Sequence, residues 1–283
     1  MKSTHVRKKR AKCLALSAIL PFLLSCSDEV IPKEEETIKE IQCYPLKYGF
    51  AMLDKEGNKI YPVEFEYEGN RIVKRLQYTL LIIAGSAPND YQRMLTKTEE
   101  VRYNERGLPV KIIGPDHPEL QVTEEIFYDT RNRMVRKEKI ITTRYEIHTY
   151  DTYYTYDSQD RINAYTTNLH NSLTGETRVF TNTVSYDQDG NLSQTTRDVT
   201  VNQYAMRTVT TYSNYDNYKN ALSHINVPFE EYMLMRYSKN NCRKMVSIGY
   251  GNGEPSGTGS EQNIPYHLYN EYGYPAIAEY RCE

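Results

Sequence analysis

Polar and apolar residues alternate with a period of two through much of the chain. Val63, Phe65 and Tyr67 fall on one side of such a stretch and Glu64, Glu66 and Glu68 on the other, the pattern of a half-buried antiparallel strand. At intervals the alternation is broken by one recurring unit: an aromatic residue, a short polar turn of Asp, Asn or Gly, then an apolar residue. Ser185-Tyr186-Asp187-Gln188-Asp189-Gly190-Asn191-Leu192 is its cleanest copy. Others run Phe65 to Ile72, Val101 to Leu108, Phe127 to Met134 and Thr155 to Ile162. Looser ones start at Tyr215, Tyr237 and Tyr269, and Leu53 to Ile60 reads as a leading turn.

Each unit makes sense as a β-hairpin. Asp or Asn after the aromatic can bond its own backbone, and Gly supplies the positive φ of a tight turn. Eight such units predict about 14 to 18 strands of ordinary length. Tyrosines recurring at one offset predict a cross-strand aromatic ladder. Leu80–Ala84 is apolar at consecutive positions between turn signals and reads as a core strand. Helical periodicity is nowhere sustained. The expectation is an all-β fold: a large antiparallel sheet of consecutive hairpin repeats, curled or closed into a barrel-like array, in a single domain over 43–283. A transmembrane barrel fits less well, because Arg144–Asp151 and Arg197–Arg207 carry charged and amide groups on both faces.

Composition adds an address. Mean hydropathy is −0.71, which excludes a helical membrane bundle, and 27 Tyr stand beside no Trp. Arg7, Lys8, Lys9, Arg10 and Lys12 precede an apolar stretch from Cys13 to Leu24, suiting a signal peptide over 1–25. Leu23-Leu24-Ser25-Cys26 resembles a bacterial lipobox, which makes Cys26 the expected lipid attachment site. Leu at its second position departs from the usual smaller or β-branched residue. Residues 26–42 read as an acidic, solvated tether, with acids from Asp28 to Glu40. Removing the first 25 residues takes away six bases and no acid, leaving 29 bases against 37 acids and a net charge of −8. Such a surface repels phosphate backbones, so no nucleic-acid partner is expected. Of the remaining cysteines, Cys43, Cys242 and Cys282, two can pair, while a free buried thiol is an equal alternative.

Candidate chemistry is sparse. His117 lies in a Gly114–Glu119 turn, and His148, His170, His224 and His267 lack metal-ligand spacing. Gly249–Ser260 is glycine-rich but lacks the Gly-Lys-Ser/Thr of a phosphate loop, and reads as a flexible loop. No nucleophile elbow occurs. No catalytic residue, metal or cofactor is therefore expected. Tyr150, Tyr153, Tyr154 and Tyr156 exceed what one face can bury and form a candidate binding platform, since Tyr offers rigid amphipathic area.

The Tyr-Asp-turn-apolar unit resembles the YD repeat of Rhs-type wall and toxin-shell proteins, which coil hairpins into a hollow shell. Repeat lengths wander here, and Gly-Arg at the turn is mostly replaced. A closer resemblance is to a group of gut Bacteroidota lipoproteins described as having a porin-like fold, the DUF4595-like family. Tyr215-Asp216-Asn217-Tyr218-Lys219-Asn220, Tyr237-Ser238-Lys239-Asn240-Asn241 and Tyr269-Asn270-Glu271-Tyr272-Gly273-Tyr274-Pro275 carry it. Cys242 stands where that pattern has Pro. Acids directly after the lipidated Cys also resemble the surface-export signal of such lipoproteins. The resemblance implies a lipid anchor in the outer membrane, facing the exterior, and it brings no catalytic residue with it. The expected function is a non-catalytic binding or structural role towards a glycan, a host polymer or an envelope protein. The alternative is a glycoside hydrolase or lyase serving nutrient uptake, which would need converging carboxylates.

Overall fold

The computed structural model describes residues 41–82, 91–117, 119–201, 204–257, 259–264 and 268–283, without the side chains of Asp116 and His117. The signal segment, Cys26 and the tether up to Glu40 lie outside the described residues. Glu40–Glu283 is one compact unit. β1 (Cys43–Tyr48) precedes a small ribbon of β2 (Met52–Leu53) and β3 (Lys59–Ile60). Hairpins then follow through β4 (Val63–Glu68), β5 (Arg71–Ile82), β6 (Tyr91–Tyr103), β7 (Pro109–His117), β8 (Leu120–Tyr128) and β9 (Met134–Thr143). They continue with β10 (Ile147–Tyr156), β11 (Ile162–Asn171), β12 (Thr177–Tyr186), β13 (Leu192–Val201) and β14 (Tyr204–Ser213). An irregular excursion, 214–243, leads to β15 (Lys244–Gly251), β16 (Glu254–Pro255), β17 (Ser260–Asn263) and β18 (Ala278–Cys282). Apart from the ribbon, the strands form one 16-stranded sheet, in reverse chain order from β16 to β4, then β1 and β18. β17 pairs with β15, and every ladder is antiparallel.

The repeat explains the sheet. In the turns after Tyr103, Tyr128, Tyr156 and Tyr186 the Asn or Asp closes a short loop on itself: Asp129 N–H donates to the Arg133 carbonyl at 2.9 Å, and Asn132 N–H to the Asp129 carbonyl at 3.1 Å. The third residue after it takes positive φ, as in Gly107 (76°), Asn132 (62°), Asp160 (58°) and Gly190 (87°). These are positions suited to Gly, Asn or Asp. Just before each repeat tyrosine the register slips by one residue, at Glu66/Tyr67, Arg102/Tyr103, Phe127/Tyr128, Thr155/Tyr156 and Ser185/Tyr186. A bulge at the same place in successive hairpins bends every strand pair the same way.

The tyrosines do not stack into the expected ladder. They recur on every second strand, about 10 Å apart at normal strand spacing, beyond ring contact. Each hydroxyl instead donates to a carbonyl of the preceding hairpin: Tyr103 to Ile72 (2.7 Å), Tyr128 to Pro109 (2.7 Å), Tyr156 to Met134 (2.6 Å) and Tyr186 to Ile162 (3.0 Å). An arginine from the preceding turn often covers the ring, as Arg161 does over Tyr186 at 4.1 Å. Burial pushes these hydroxyls above their ordinary pKa, Tyr103 to about 12 and Tyr128, Tyr156 and Tyr186 higher still. They stay protonated donors at neutral pH.

The 214–243 excursion fills the inner face. Leu222, Ile225, Val227, Phe229, Tyr232 and Met233 are buried in one cluster with Phe65, Ile72, Ile112, Ile126, Ile162 and Leu192 from the strands. Tyr232 meets Tyr48 of β1, with ring centroids 5.5 Å apart, and the Ser238 hydroxyl accepts from the Leu192 N–H of β13 at 3.0 Å. Those two excursion residues are at most ~20 Å apart along the chain. The strands they touch are ten steps apart in the sheet, about 48 Å if it were flat. The sheet is therefore rolled around the excursion.

It is curled and not closed: among the described residues no ladder joins the β16/β17 edge to β18. Non-strand segments cover the seam. Tyr218 stacks on Tyr269 at 3.7 Å, the Lys219 N–H donates to the Gly273 carbonyl at 3.1 Å, and His224 bonds the Tyr274 hydroxyl at 3.0 Å. A disulfide joins Cys43 to Cys282, facing residues of β1 and β18, while Cys242 is free and buried.

Two local expectations fail. Leu81 and Ile82 are exposed at the far end of β5, because the apolar run lies where that hairpin outreaches the core. Ile83 and Ala84 lie outside the described residues. Gly249–Gly251 belong to β15 and not to a loop. Gly251 lies so close under the Tyr204 hydroxyl that a Cβ there would meet it at 2.2 Å.

Candidate functional site

The bulges also decide which side chains face inward. After the bulge residue Val135, alternation along β9 turns Arg136 and Glu138 outward and Lys137, Lys139 and Ile141 inward, where they line a pocket. Thr152 and Tyr154 of β10 and Tyr165 and Thr167 of β11 continue this wall. Glu230, Met233 and Leu234 of the excursion cover it. The enclosed space is about 240 Å³, enough for one six-membered ring with its substituents.

Its charges are matched. Lys137 pairs with Glu124 of β8 at 3.1 Å, and Lys139 lies 3.7 Å from Glu124 and 3.4 Å from Glu230. Burial pushes the Glu124 carboxyl up in pKa, but the two ammonium groups outweigh it and the net shift is downward. Glu124 stays ionised. The Tyr154 and Tyr165 rings stack 5.7 Å apart, and the Thr152 and Thr167 hydroxyls share a 3.0 Å hydrogen bond. Burial raises Tyr165 to about 12 and pushes Tyr154 well above its ordinary value. The result is an electrically balanced pocket with aromatic surface, hydroxyl groups and charged hydrogen-bonding groups. Such a set can hold a neutral, hydroxyl-rich ring by stacking and hydrogen bonding.

The four tyrosines singled out in the sequence are not one surface. Tyr150 and Tyr154 line this pocket. Tyr153 is exposed on the outer face, with the Arg136 guanidinium 5.9 Å from its ring centroid. Tyr156 belongs to the pinned repeat row. Cys26 lies outside the described residues, as do His267 and the side chain of His117. His148 Nε2 lies 2.8 Å from Glu146, and His224 serves the seam. Among the described residues no three His, Cys, Asp or Glu side chains converge to hold an ion. Sequence reasoning missed Lys137, Lys139, Glu124 and Glu230. The available signal was Lys-Glu-Lys at 137–139, where alternation must turn charge inward on one side or the other.

No family model matches the sequence, and no curated protein does. Among solved structures, a porin-like protein from Bacteroides vulgatus is similar at a TM-score of 0.48 and 14% identity, over 86% of this chain and 98% of that one. At that level the likeness adds nothing to the architecture described above. Among the described residues no helix is long and apolar enough to cross a membrane.

Proposed function

We propose that the protein is an outer-membrane lipoprotein of the DUF4595-like kind, anchored through Cys26 and facing the cell exterior, which binds a glycan without cleaving it. The observation that carries the binding reading is the tyrosine-walled pocket under Glu230, with its charges mutually neutralised. A glycosidase acid must have its pKa raised so that it holds a proton at neutral pH. Glu124, the buried carboxylate beside the pocket, is shifted the opposite way. That favours binding over hydrolysis. The Cys43–Cys282 bond supports an exported location, since such bonds persist in oxidising compartments. The basic n-region and apolar stretch ahead of Cys26 support the anchor.

One experiment tests address and activity together. Intact cells producing the wild-type chain or Cys26→Ala are fed labelled palmitate and then exposed to a panel of fluorescent host and dietary glycans. The expected result is palmitate in the wild type alone, and saturable capture of at least one glycan by wild-type cells, with no change in its chain length. Shortened glycan would establish the hydrolase or lyase reading. Equal palmitate labelling of the variant would end the assignment of Cys26.

A further inference from the structure

A second pocket lies at the turn end of the sheet, on the other side of Met233 from the first. It encloses about 260 Å³ between the β8–β9 and β10–β11 turns and the excursion, with Asn132, Arg133, Asp160, Asn226, Arg236 and Tyr237 among its lining residues.

Its charges are not balanced. Arg133 is bound to Asp129 at 2.8 Å and to Asp160 at 3.1 Å, and Asp160 also takes Arg131 at 2.7 Å. Arg236 makes no ion pair among the described residues. It donates one long bond to the Ile225 carbonyl, at 3.3 Å, and lies over the Tyr237 ring at 5.1 Å. Of the charged residues that line the pocket, two guanidinium groups, Arg133 and Arg236, stand against one carboxylate, Asp160, an excess of one positive charge. The neighbouring hydroxyls supply no balancing charge: Tyr128 and Tyr156 remain protonated, donating to the Pro109 and Met134 carbonyls. The oxygen of Asn132 accepts from Arg106 at 3.0 Å, which leaves its amide NH2 as a donor at the rim.

We propose that this turn-end pocket binds a small carboxylate-bearing molecule, with the Arg236 guanidinium as the fork that grips it. A carboxylate supplies the single negative charge that balances the cluster, and its two oxygens match the planar pair of N–H groups. A phosphate dianion would exceed that charge beside Asp160. The site is separate from the tyrosine-walled pocket, so its failure would leave the glycan reading untouched.

The test uses the full chain, labelled with 15N at arginine, and follows the Arg236 Nε–H resonance, assigned by its loss in Arg236→Gln. The probes are galacturonate, galactose and inorganic phosphate, each titrated to about 10 mM, where even weak binding registers. The expected result is a saturable shift with galacturonate and none with galactose. Affinity, followed at the neighbouring tyrosine signals, should fall at least tenfold in Arg236→Gln. It should be unchanged in Arg102→Gln on the exposed outer face. Arg236→Lys keeps the charge but loses the fork, and should also weaken binding, which provides a second reading should Arg236→Gln lose the native near-ultraviolet tyrosine spectrum. Equal responses to galacturonate and galactose, preference for phosphate, unchanged affinity in both Arg236 variants, or no saturation would each overturn the proposal.

Discussion

Replacing Cys43 and Cys282 together by serine is expected to lower the unfolding free energy by about 5 kcal/mol, from the loop-closure entropy of so long a loop. The two residues are 239 positions apart in sequence, so the bond closes a very long loop in the unfolded chain and restricts how far its ends can separate. Its place in the fold adds a local effect. Among the described residues β18 pairs only with β1, and it carries Tyr280, whose ring packs on Tyr274 of the seam at 5.3 Å. Without the bond the last strand has five residues of ladder to hold it. Urea unfolding of the oxidised wild type and the double variant measures the difference. A shift under about 1 kcal/mol, near the low end for such bonds, would show that the bond does not hold the ends of the sheet.

Truncating Arg75 to Ala is the second large effect, an expected loss of about 3 kcal/mol, the low end for breaking a buried ion pair, because Glu99 loses its guanidinium partner and keeps Lys97 at 2.7 Å. Arg75 and Glu99 are both 2% exposed, and the guanidinium grips Glu99 through Nε and Nη2. Its Nη1 reaches Glu231 of the excursion at 2.8 Å, and its plane covers the Phe229 ring at 3.9 Å. Burial opposes its charge, but Glu99 and Glu231 outweigh that and its pKa is raised. The Arg75–Glu231 pair also ties the excursion to the sheet. Arg75→Met separates charge from packing, since it keeps the length of the side chain. It should cost nearly as much by urea unfolding, and adding Glu99→Gln should recover part of the loss. If Arg75→Met were as stable as the wild type, the ion cluster would be a passenger in the core.

Much of this fold was legible because the repeat is local. Tyr186-Asp187 through Gly190 to Leu192 states its own turn, and the units at Phe65, Val101, Phe127 and Thr155, with the leading turn at Leu53, set five more hairpins. The 18 strands among the described residues fall within the range the repeat predicts. What the sequence could not show depends on contacts far along the chain. The roles of the tyrosine hydroxyls follow from bulges, whose extra residues are Val73, Val110, Val135, Asn163 and Ser193: β-formers and polar residues alike, none of which signals a bulge in a strand. The looser repeat copies at Tyr215 and Tyr237 predict further hairpins, and the chain there is an irregular excursion instead. Only Ile225, Val227 and Phe229 keep a period of two; buried Leu222, Tyr232 and Met233 break it, and that break marks a segment packed from several sides. The candidate site was the least visible part. Tyr150 and Tyr154 were named, but the lysines that face them and the glutamates that neutralise those lysines come from three other parts of the chain.

The account stands on the excursion lying inside the rolled sheet, because both pockets exist only there. Zero-length carbodiimide coupling tests this directly, since Lys139 and Glu230 lie 3.4 Å apart across that junction. Lys244 and Glu261, 3.0 Å apart between β15 and β17, serve as the internal standard. The expected result is a cross-linked peptide joining residues 139 and 230, absent in Glu230→Gln, alongside the 244–261 product. Efficient coupling of 244 to 261 with no product between 139 and 230 would contradict the packing of the excursion and remove the basis for both sites.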